Sequence, residues 1–338
     1  MVTAARDVRI GVIGAGALGY HHVRILRDVP GAQLVGFYEA RGERAAQVAT
    51  ELGVRPFDRV EDLIEAVDAA TVVVPTPAHY EVAKAALGAG KHLLIEKPIA
   101  ATLAQADELL AIAKRTGALV QTGHVERFNR AIRAALPHVE KARFIESDRL
   151  APFNPRGADV AVVLDLMIHD IDLVRTLVGG HIKDVSAVGV QVLTPFVDIA
   201  NARLRFEDGA VANITASRVS RERMRKVRIF QESGYLSLDL ASGEGEFFRL
   251  RRDVDLAELA KGAQAIEAFV ERVPITAPEG EPLRLEFESF LLAVQGRQAV
   301  TVSGDDGREA LAVALRIVAE IERTLPSLAA GTHVAAGA

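Results

Sequence analysis

Inside an otherwise apolar stretch, residues 160–178, stand Asp165, His169 and Asp172. At ~100° per residue an α-helix brings these three into a sector of roughly 60°, with Asp170 pointing away. A carboxylate, an imidazole and a second carboxylate on one face can serve as a proton relay, a metal site or a satisfied polar seam. Histidine titrates near neutrality, which suits it to removing a hydroxyl proton. Asp165, one turn earlier, is placed to orient the imidazole and raise its basicity, an effect that burial opposes. A metal site needs three or more ligands with open positions, and no second cluster with ligand spacing occurs elsewhere. No metal is expected.

Gly14-Ala15-Gly16-Ala17-Leu18-Gly19 follows a strand pattern over Val8–Ile13 and opens a helical pattern over 17–27. Its glycines allow a tight turn and let backbone N–H groups approach a pyrophosphate at a helix N-terminus. Glu39 ends the next strand pattern, Ala32–Tyr38, where a carboxylate accepts from both adenosine ribose hydroxyls and repels a 2′-phosphate. NAD is the expected cofactor. NADP is the lesser option, which Arg41 and Arg44 keep open. Further on, a strand at 92–95 runs into Glu96-Lys97-Pro98. Strand carboxyl ends face the ligand crevice of an open α/β sheet, so Lys97 is placed to stabilise a developing alkoxide or relay a proton. Pro98 holds Lys97 extended, and a cis bond between them is compatible with such a turn. With His169 as base, Lys97 is the electrostatic partner; Lys97 as the base is the competing assignment.

The elements that must position these groups divide the chain. Up to residue 123, strand and helix patterns alternate, as in a doubly wound parallel sheet with crossover helices. Thr76 reads as an N-cap before Pro77, and Thr102 to Gln105 as a capping box opening a helix that ends at Gly117. After the His169 helix, hairpin signals at Asp208-Gly209 and Ser233-Gly234 separate strand-like runs, the sign of a mainly antiparallel sheet. Two amphipathic helices, 282–295 and 306–324, close the pattern. The expected architecture is an α/β Rossmann domain over 1–123 and an α+β domain with a large open sheet over 124–330. The C-terminal helix is free to pack back on the first domain. Residues 253–280 carry no clear pattern, and 331–338 read as a frayed tail.

Composition sets outer limits. The chain has 338 residues, a net charge of −5 and no cysteine, which excludes disulfides and zinc–thiolate sites and gives no basic field for nucleic acid. No signal peptide and no apolar run long enough for a membrane span is read, so a cytoplasmic protein is expected. The run Arg218, Arg221, Arg223, Arg225, Arg228 allows two readings: guanidinium forks for a diphosphate, with Arg218 and Arg221 the better ligands, or a solvated hairpin edge.

The glycine loop, the acid after the second strand, Gly90-Lys91-His92 leading to Glu96-Lys97-Pro98, and Asp165-x3-His169 together resemble the Gfo/Idh/MocA family of nicotinamide-dependent sugar and polyol dehydrogenases. The resemblance spans almost the whole chain. It implies Lys97, Asp165 and His169 as the catalytic group, Asp172 as a ligand of a substrate hydroxyl, and Thr76, Pro77, His79 and Glu96 along the nicotinamide ribose. It also sets Arg127 and Asn129 beside nicotinamide and substrate, with His124 packed nearby or touching ribose. The segments 123–129, 164–172 and 217–220 further resemble a bacterial subgroup that oxidises the C3 hydroxyl of UDP-N-acetylglucosamine for aminosugar-containing lipid A. Arg130, where a proline is expected, and Glu39 for the commoner Asp depart from it. The implied activity is NAD-dependent oxidation of a sugar hydroxyl by a homodimer or homotetramer paired through the second sheet. Alternatives are a free-sugar or inositol dehydrogenase, a glycosidase that retains NAD, and a ligand sensor, against which the complete proton-transfer set speaks.

Overall fold

The computed structural model describes residues 6–155, 157–251 and 269–324. Six parallel strands, β1 (Val8–Ile13), β2 (Ala32–Tyr38), β3 (Pro56–Phe57), β4 (Ala69–Val72), β5 (His92–Glu96) and β6 (Val120–Gly123), form a sheet in the order β3-β2-β1-β4-β5-β6. The order reverses between β1 and β4, and the carboxyl ends there open the crevice in which such sheets bind ligands. Helices α1 (Ala17–Leu26), α2 (Gly42–Leu52), α3 (Val60–Ala66), α4 (Thr76–Gly88) and α5 (Leu103–Thr116) make the crossovers. Strands such as β4, buried along its whole length, are apolar without alternation because helices cover both faces. Thr102 caps α5 by accepting from the Gln105 N–H, as the capping box predicts. The α4 start differs from expectation: Pro75 is the N-cap, and Thr76 is already helical with no side-chain cap.

The second sheet runs β14-β13-β12-β11-β7-β10-β9-β8, from β7 (Phe144–Leu150) through β8 (Ile182–Val190), β9 (Ile199–Phe206), β10 (Val211–Ser217), β11 (Met224–Gln231), β12 (Gly234–Asp239) and β13 (Glu244–Leu250) to β14 (Val270–Ile275). Its neighbours pair antiparallel except β7 and β10, which are parallel. Both predicted hairpins form, β9–β10 and β11–β12. On β9, Ala200, Ala202, Leu204 and Phe206 face the core while Asn201, Arg203 and Arg205 face outward. One sheet face is therefore covered and the other open. The covering layer includes α7 (Ile168–Val178), preceded by a π-helical turn over Val163–Met167, together with α6 (Arg130–Ala135).

Two last helices return to the first sheet. From α8 (Pro282–Val294), Phe287, Phe290 and Leu291 enter the core around β1 and α1. Helix α9 (Gly304–Thr324) lies against α7 and β8, and its Leu311 reaches the core beside α5. Val302 accepts from the Thr122 N–H at 3.0 Å, and Ser303 bridges antiparallel to Gln121, so this segment runs along β6. The predicted tail, 331–338, lies outside the described residues, as does most of 253–280.

Candidate active site

At the first turn, Gly14 has φ +97°, a conformation that L side chains rarely adopt. A Cβ on Gly19 would lie 1.9 Å from the Gly14 carbonyl oxygen, so helix and loop touch there through backbone alone. A Cβ on Gly16, by contrast, would meet only the Arg41 guanidinium at 3.7 Å. No side chain caps α1, which leaves its first-turn N–H groups, those around Gly16, Ala17 and Leu18, for an anion. Glu39 closes the far side: Oε2 accepts from the Ala15 N–H at 2.9 Å and Oε1 from Arg41 Nε at 2.8 Å. Burial pushes the Glu39 carboxyl up, but these bonds outweigh it and hold the group below its ordinary range. An ionised acceptor beside a bare helix N-terminus fits a dinucleotide with a free ribose 2′-hydroxyl.

At the opposite end of the crevice, β5 delivers Glu96 and Lys97, and the Lys97–Pro98 bond is cis. His79 spends both ring nitrogens near carbonyl oxygens, Pro98 at 2.9 Å and Val74 at 2.8 Å. It therefore clamps this turn and offers no free nitrogen to a ribose, contrary to the expectation for it. Thr76 and Pro77 form the first turn of α4 after β4. Lys97 Nζ donates to the Asp165 backbone oxygen at 2.6 Å and lies 3.5 Å from Asp165 Oδ1. Burial lowers the Lys97 pKa, and the Asp165 and Glu96 charges oppose that shift without cancelling it.

The π-helical turn alters the expected helix face. Its extra residue changes the rotation between Asp165 and His169, and among the described residues no hydrogen bond joins them. Asp165 turns toward Lys97 and toward Gly157, where a Cβ would lie 2.6 Å from its Oδ2. His169 instead stands edge-on to His124, ring centroids 6.2 Å apart, and its buried Nδ1 has no partner among the described residues. Burial first, then the nearby Lys97 and Arg149 charges, hold the His169 pKa well below its ordinary value, the reverse of the expected rise. Asp165 orients Lys97 rather than His169.

Four expected substrate ligands are occupied. Both carboxylate oxygens of the fully buried Asp172 take a fork from Arg127, at 2.7 and 2.6 Å, so this pair seals the seam and neither member is free for a sugar. Asn129 caps α6 by accepting from the Ala131 N–H, and its amide donates to Glu126 and the Leu240 carbonyl. Arg218 is 3% exposed and tied to Asp198, to the carbonyls of Gly157, Val160 and Val197, and to Thr194. It rivets the segment leading into the His169 helix to the 192–198 loop. Asp198 also accepts three backbone N–H bonds, from Val192, Leu193 and Thr194, so its carboxylate stays ionised. Arg221 is exposed, and no side-chain bond of it is found among the described residues.

Residues outside any motif complete the site. Arg149 on β7 joins Asp170 at 2.6 Å and Glu126 at 2.8 Å, so Asp170, which points away from the crevice as expected, anchors α7 to the second sheet. Arg225 reaches within 3.6 Å of Glu126 with its side chain half exposed, and its charge is felt at His169. Alternation along Ser147, Arg149 and their inward neighbour Ile145 is the signal that could have exposed Arg149. The divergent directions of Asp165, His169 and Asp172 leave no common centre, and among the described residues no group of three such side chains could hold a metal ion.

The family and the fold are shared with known proteins. Residues 8–124 match the model of an oxidoreductase family with an NAD-binding Rossmann fold, and 136–237 match the GFO/IDH/MocA C-terminal domain. The UDP-N-acetylglucosamine 3-dehydrogenase of Acidithiobacillus ferrooxidans is 37% identical over 94% of this chain and 98% of its own. Its solved structure superposes with a TM-score of 0.84 over the same shares of both chains. The myo-inositol 2-dehydrogenase of Thermotoga maritima is 27% identical, over 90% of this chain and 93% of its own.

Proposed function

The chain belongs to the Gfo/Idh/MocA family of NAD-binding oxidoreductases, and from that premise we propose that it oxidises the C3 hydroxyl of a UDP-N-acetylhexosamine such as UDP-N-acetylglucosamine. The observation that carries the chemistry is the pairing, at one end of the crevice, of a restrained cation with a neutral imidazole: Lys97 held by Asp165, and His169 without a partner on Nδ1. The end-to-end likeness to the Acidithiobacillus enzyme supports the nucleotide sugar.

NAD, when bound, supplies the hydride acceptor. The chain manages the proton. His169 is neutral throughout the physiological range, so it is free to accept the hydroxyl proton as the C–H bond breaks. Lys97 stabilises the developing alkoxide from a low-dielectric site, where its charge acts more strongly than in water. Asp165 keeps the Lys97 ammonium on station through its backbone oxygen and carboxylate. Arg225, with Arg221 and Arg223 exposed on the adjoining loop, takes over the diphosphate role expected of Arg218. Among the described residues no helix is long and apolar enough to cross a membrane, and the reading sets the enzyme in the cytoplasm. Pairing into a dimer or tetramer through the open face of the second sheet completes it.

The test is NADH formation measured across UDP-hexosamines, free hexoses and inositols, with light scattering for the assembly. Turnover of UDP-N-acetylglucosamine with release of a 3-keto product is expected. Robust turnover of a free polyol with none on any UDP-sugar overturns the substrate assignment.

A further inference from the structure

The glycines that let a pyrophosphate approach the first turn also leave that turn loosely held. A Cβ on Gly16 would meet only the Arg41 guanidinium, at 3.7 Å, so no packing pins the backbone there. Gly16 sits at φ −63° and ψ −151°. A half-turn of the peptide unit joining Ala15 to Gly16 would carry the Gly16 φ to the positive side, which glycine accepts without strain. In a trans peptide unit the carbonyl and the N–H point in opposite directions. One orientation therefore offers an anion the Gly16 N–H, and the other offers it the Ala15 carbonyl oxygen, which repels it. Something outside the loop must choose.

Arg44, in the first turn of α2 and half-buried, reaches back across the same β–α–β unit to do so. Its Nε donates to the Ala15 carbonyl oxygen at 3.1 Å, and Nη2 donates to the Gly16 carbonyl oxygen at 3.4 Å. The Gly16 oxygen also accepts the first bond of α1, from the Tyr20 N–H at 3.0 Å. Two successive carbonyls are thus drawn toward one planar fork. The N–H groups of Gly16 and Ala17, which no side chain caps, point the other way. The fork is itself held in place. Nη1 donates to Gln47 Oε1 at 2.7 Å, one turn along α2, and the guanidinium lies over the Tyr20 ring, 5.4 Å from its centroid. Glu39 does the same for the preceding unit, taking the Ala15 N–H. Each of the three Arg44 nitrogens is engaged, so of the two arginines open to a 2′-phosphate only the exposed Arg41 remains.

We propose that Arg44 is a positioning residue for the cofactor: it locks the Ala15–Gly16 peptide unit with its N–H toward the pyrophosphate, and acts through that backbone rather than by touching phosphate. The glycines supply room and freedom, and Arg44 removes the wrong orientation that the freedom allows. Two consequences separate this role from a plain positive charge near the site. A lysine keeps the charge but is a point donor, without the rigid fork that spans two oxygens at once. The effect also belongs to ligands that carry the diphosphate. Adenosine, which meets the Glu39 end of the site, has no use for the Gly16 N–H. The inference rests on the NAD site and not on the identity of the sugar.

The test is therefore made without sugar, so that a wrong substrate assignment leaves it intact. Calorimetry on the full chain with ADP-ribose and with adenosine separates the diphosphate from the nucleoside. Arg44→Met is expected to weaken ADP-ribose binding by about 10- to 100-fold and adenosine binding by less than about twofold, the loss of a charge-assisted hydrogen bond at one end of the ligand only. Arg44→Lys is expected to stay closer to Arg44→Met than to the wild type. Three outcomes overturn the proposal: unchanged ADP-ribose affinity in Arg44→Met, equal losses for both ligands as a general distortion would give, or full recovery in Arg44→Lys as charge alone would give. Should Arg44→Met fail to fold, NMR of the wild type decides. The Arg44 Nε–H signal is expected to exchange slowly before ADP-ribose is added and to keep its position afterwards. Fast exchange without ligand, or a large shift on binding, overturns the assignment.

Discussion

The two ends of the crevice are built on different principles. At the glycine loop, recognition comes from backbone: a turn at Gly14, a helix start with no cap, and one carboxylate, Glu39, two positions before the arginine that holds it. At the His169 end, recognition comes from side chains whose partners lie far away in sequence. Arg127 meets Asp172, Arg149 meets Asp170, and Arg218 meets Asp198. A backbone site needs only local chain to exist. A side-chain site exists only after long-range pairing decides which charges are spent on the fold and which face the substrate.

Mutations can break or sharpen that contrast. The largest effect is expected at the side-chain end. His169→Ala should lower kcat by about 10²- to 10⁴-fold, the usual yield of general base catalysis, with NAD+ affinity unchanged. In the wild type, kcat/KM should stay level as pH falls through 6.5, because the His169 pKa in the folded chain is held well below that ordinary value. A profile that instead climbs through the alkaline range and vanishes in Lys97→Met would transfer the base to Lys97, whose pKa is also lowered.

Next come the arginines. Removing Arg218 leaves buried Asp198 ionised without its cation, a loss of about 3–5 kcal/mol read as a fall in denaturation midpoint. Arg225→Ala should leave that midpoint alone and raise the KM for a UDP-sugar. If Arg218→Ala folds with normal stability and a raised KM, the two roles are reversed. The smallest change belongs to the backbone end. Gly19→Ala forces a Cβ onto the Gly14 carbonyl and should cost about 1–3 kcal/mol, with weakened NAD+ binding by fluorescence titration. An unaffected Gly19→Ala would mean that the loop yields more easily than the close contact implies.

The same contrast governs what the sequence discloses. The parallel sheet, the glycine loop and the capping box are legible because each depends on neighbours within a few residues. The Asp165–His169–Asp172 face presumes a regular α-helix, and nothing in the polar pattern betrays a π-helical turn, which depends on packing around Val163–Met167. Strand β7 is hidden in the sequence because its inward positions include Ser147 and Arg149, which look solvent-facing until Asp170 is brought opposite. Glu286 is hidden in the same way. It shares a helical face with Phe290 and Ala293, at the i, i+4, i+7 spacing, and that company is the local sign of a buried acid.

The segment at Val302–Ser303 has a consequence for how the chain survives. Strand β6 ends its sheet, and an uncovered row of N–H and C=O groups there is a template for edge-to-edge association between molecules. The Thr122 N–H is instead taken by Val302, and α9 starts immediately against β6, where a Cβ on Gly307 would lie 2.1 Å from Thr122 Oγ1. A segment some 180 residues downstream thus closes an edge laid down at residues 120–123. A chain stalled or clipped before it would leave that border open to self-association, however well its glycine loop had formed.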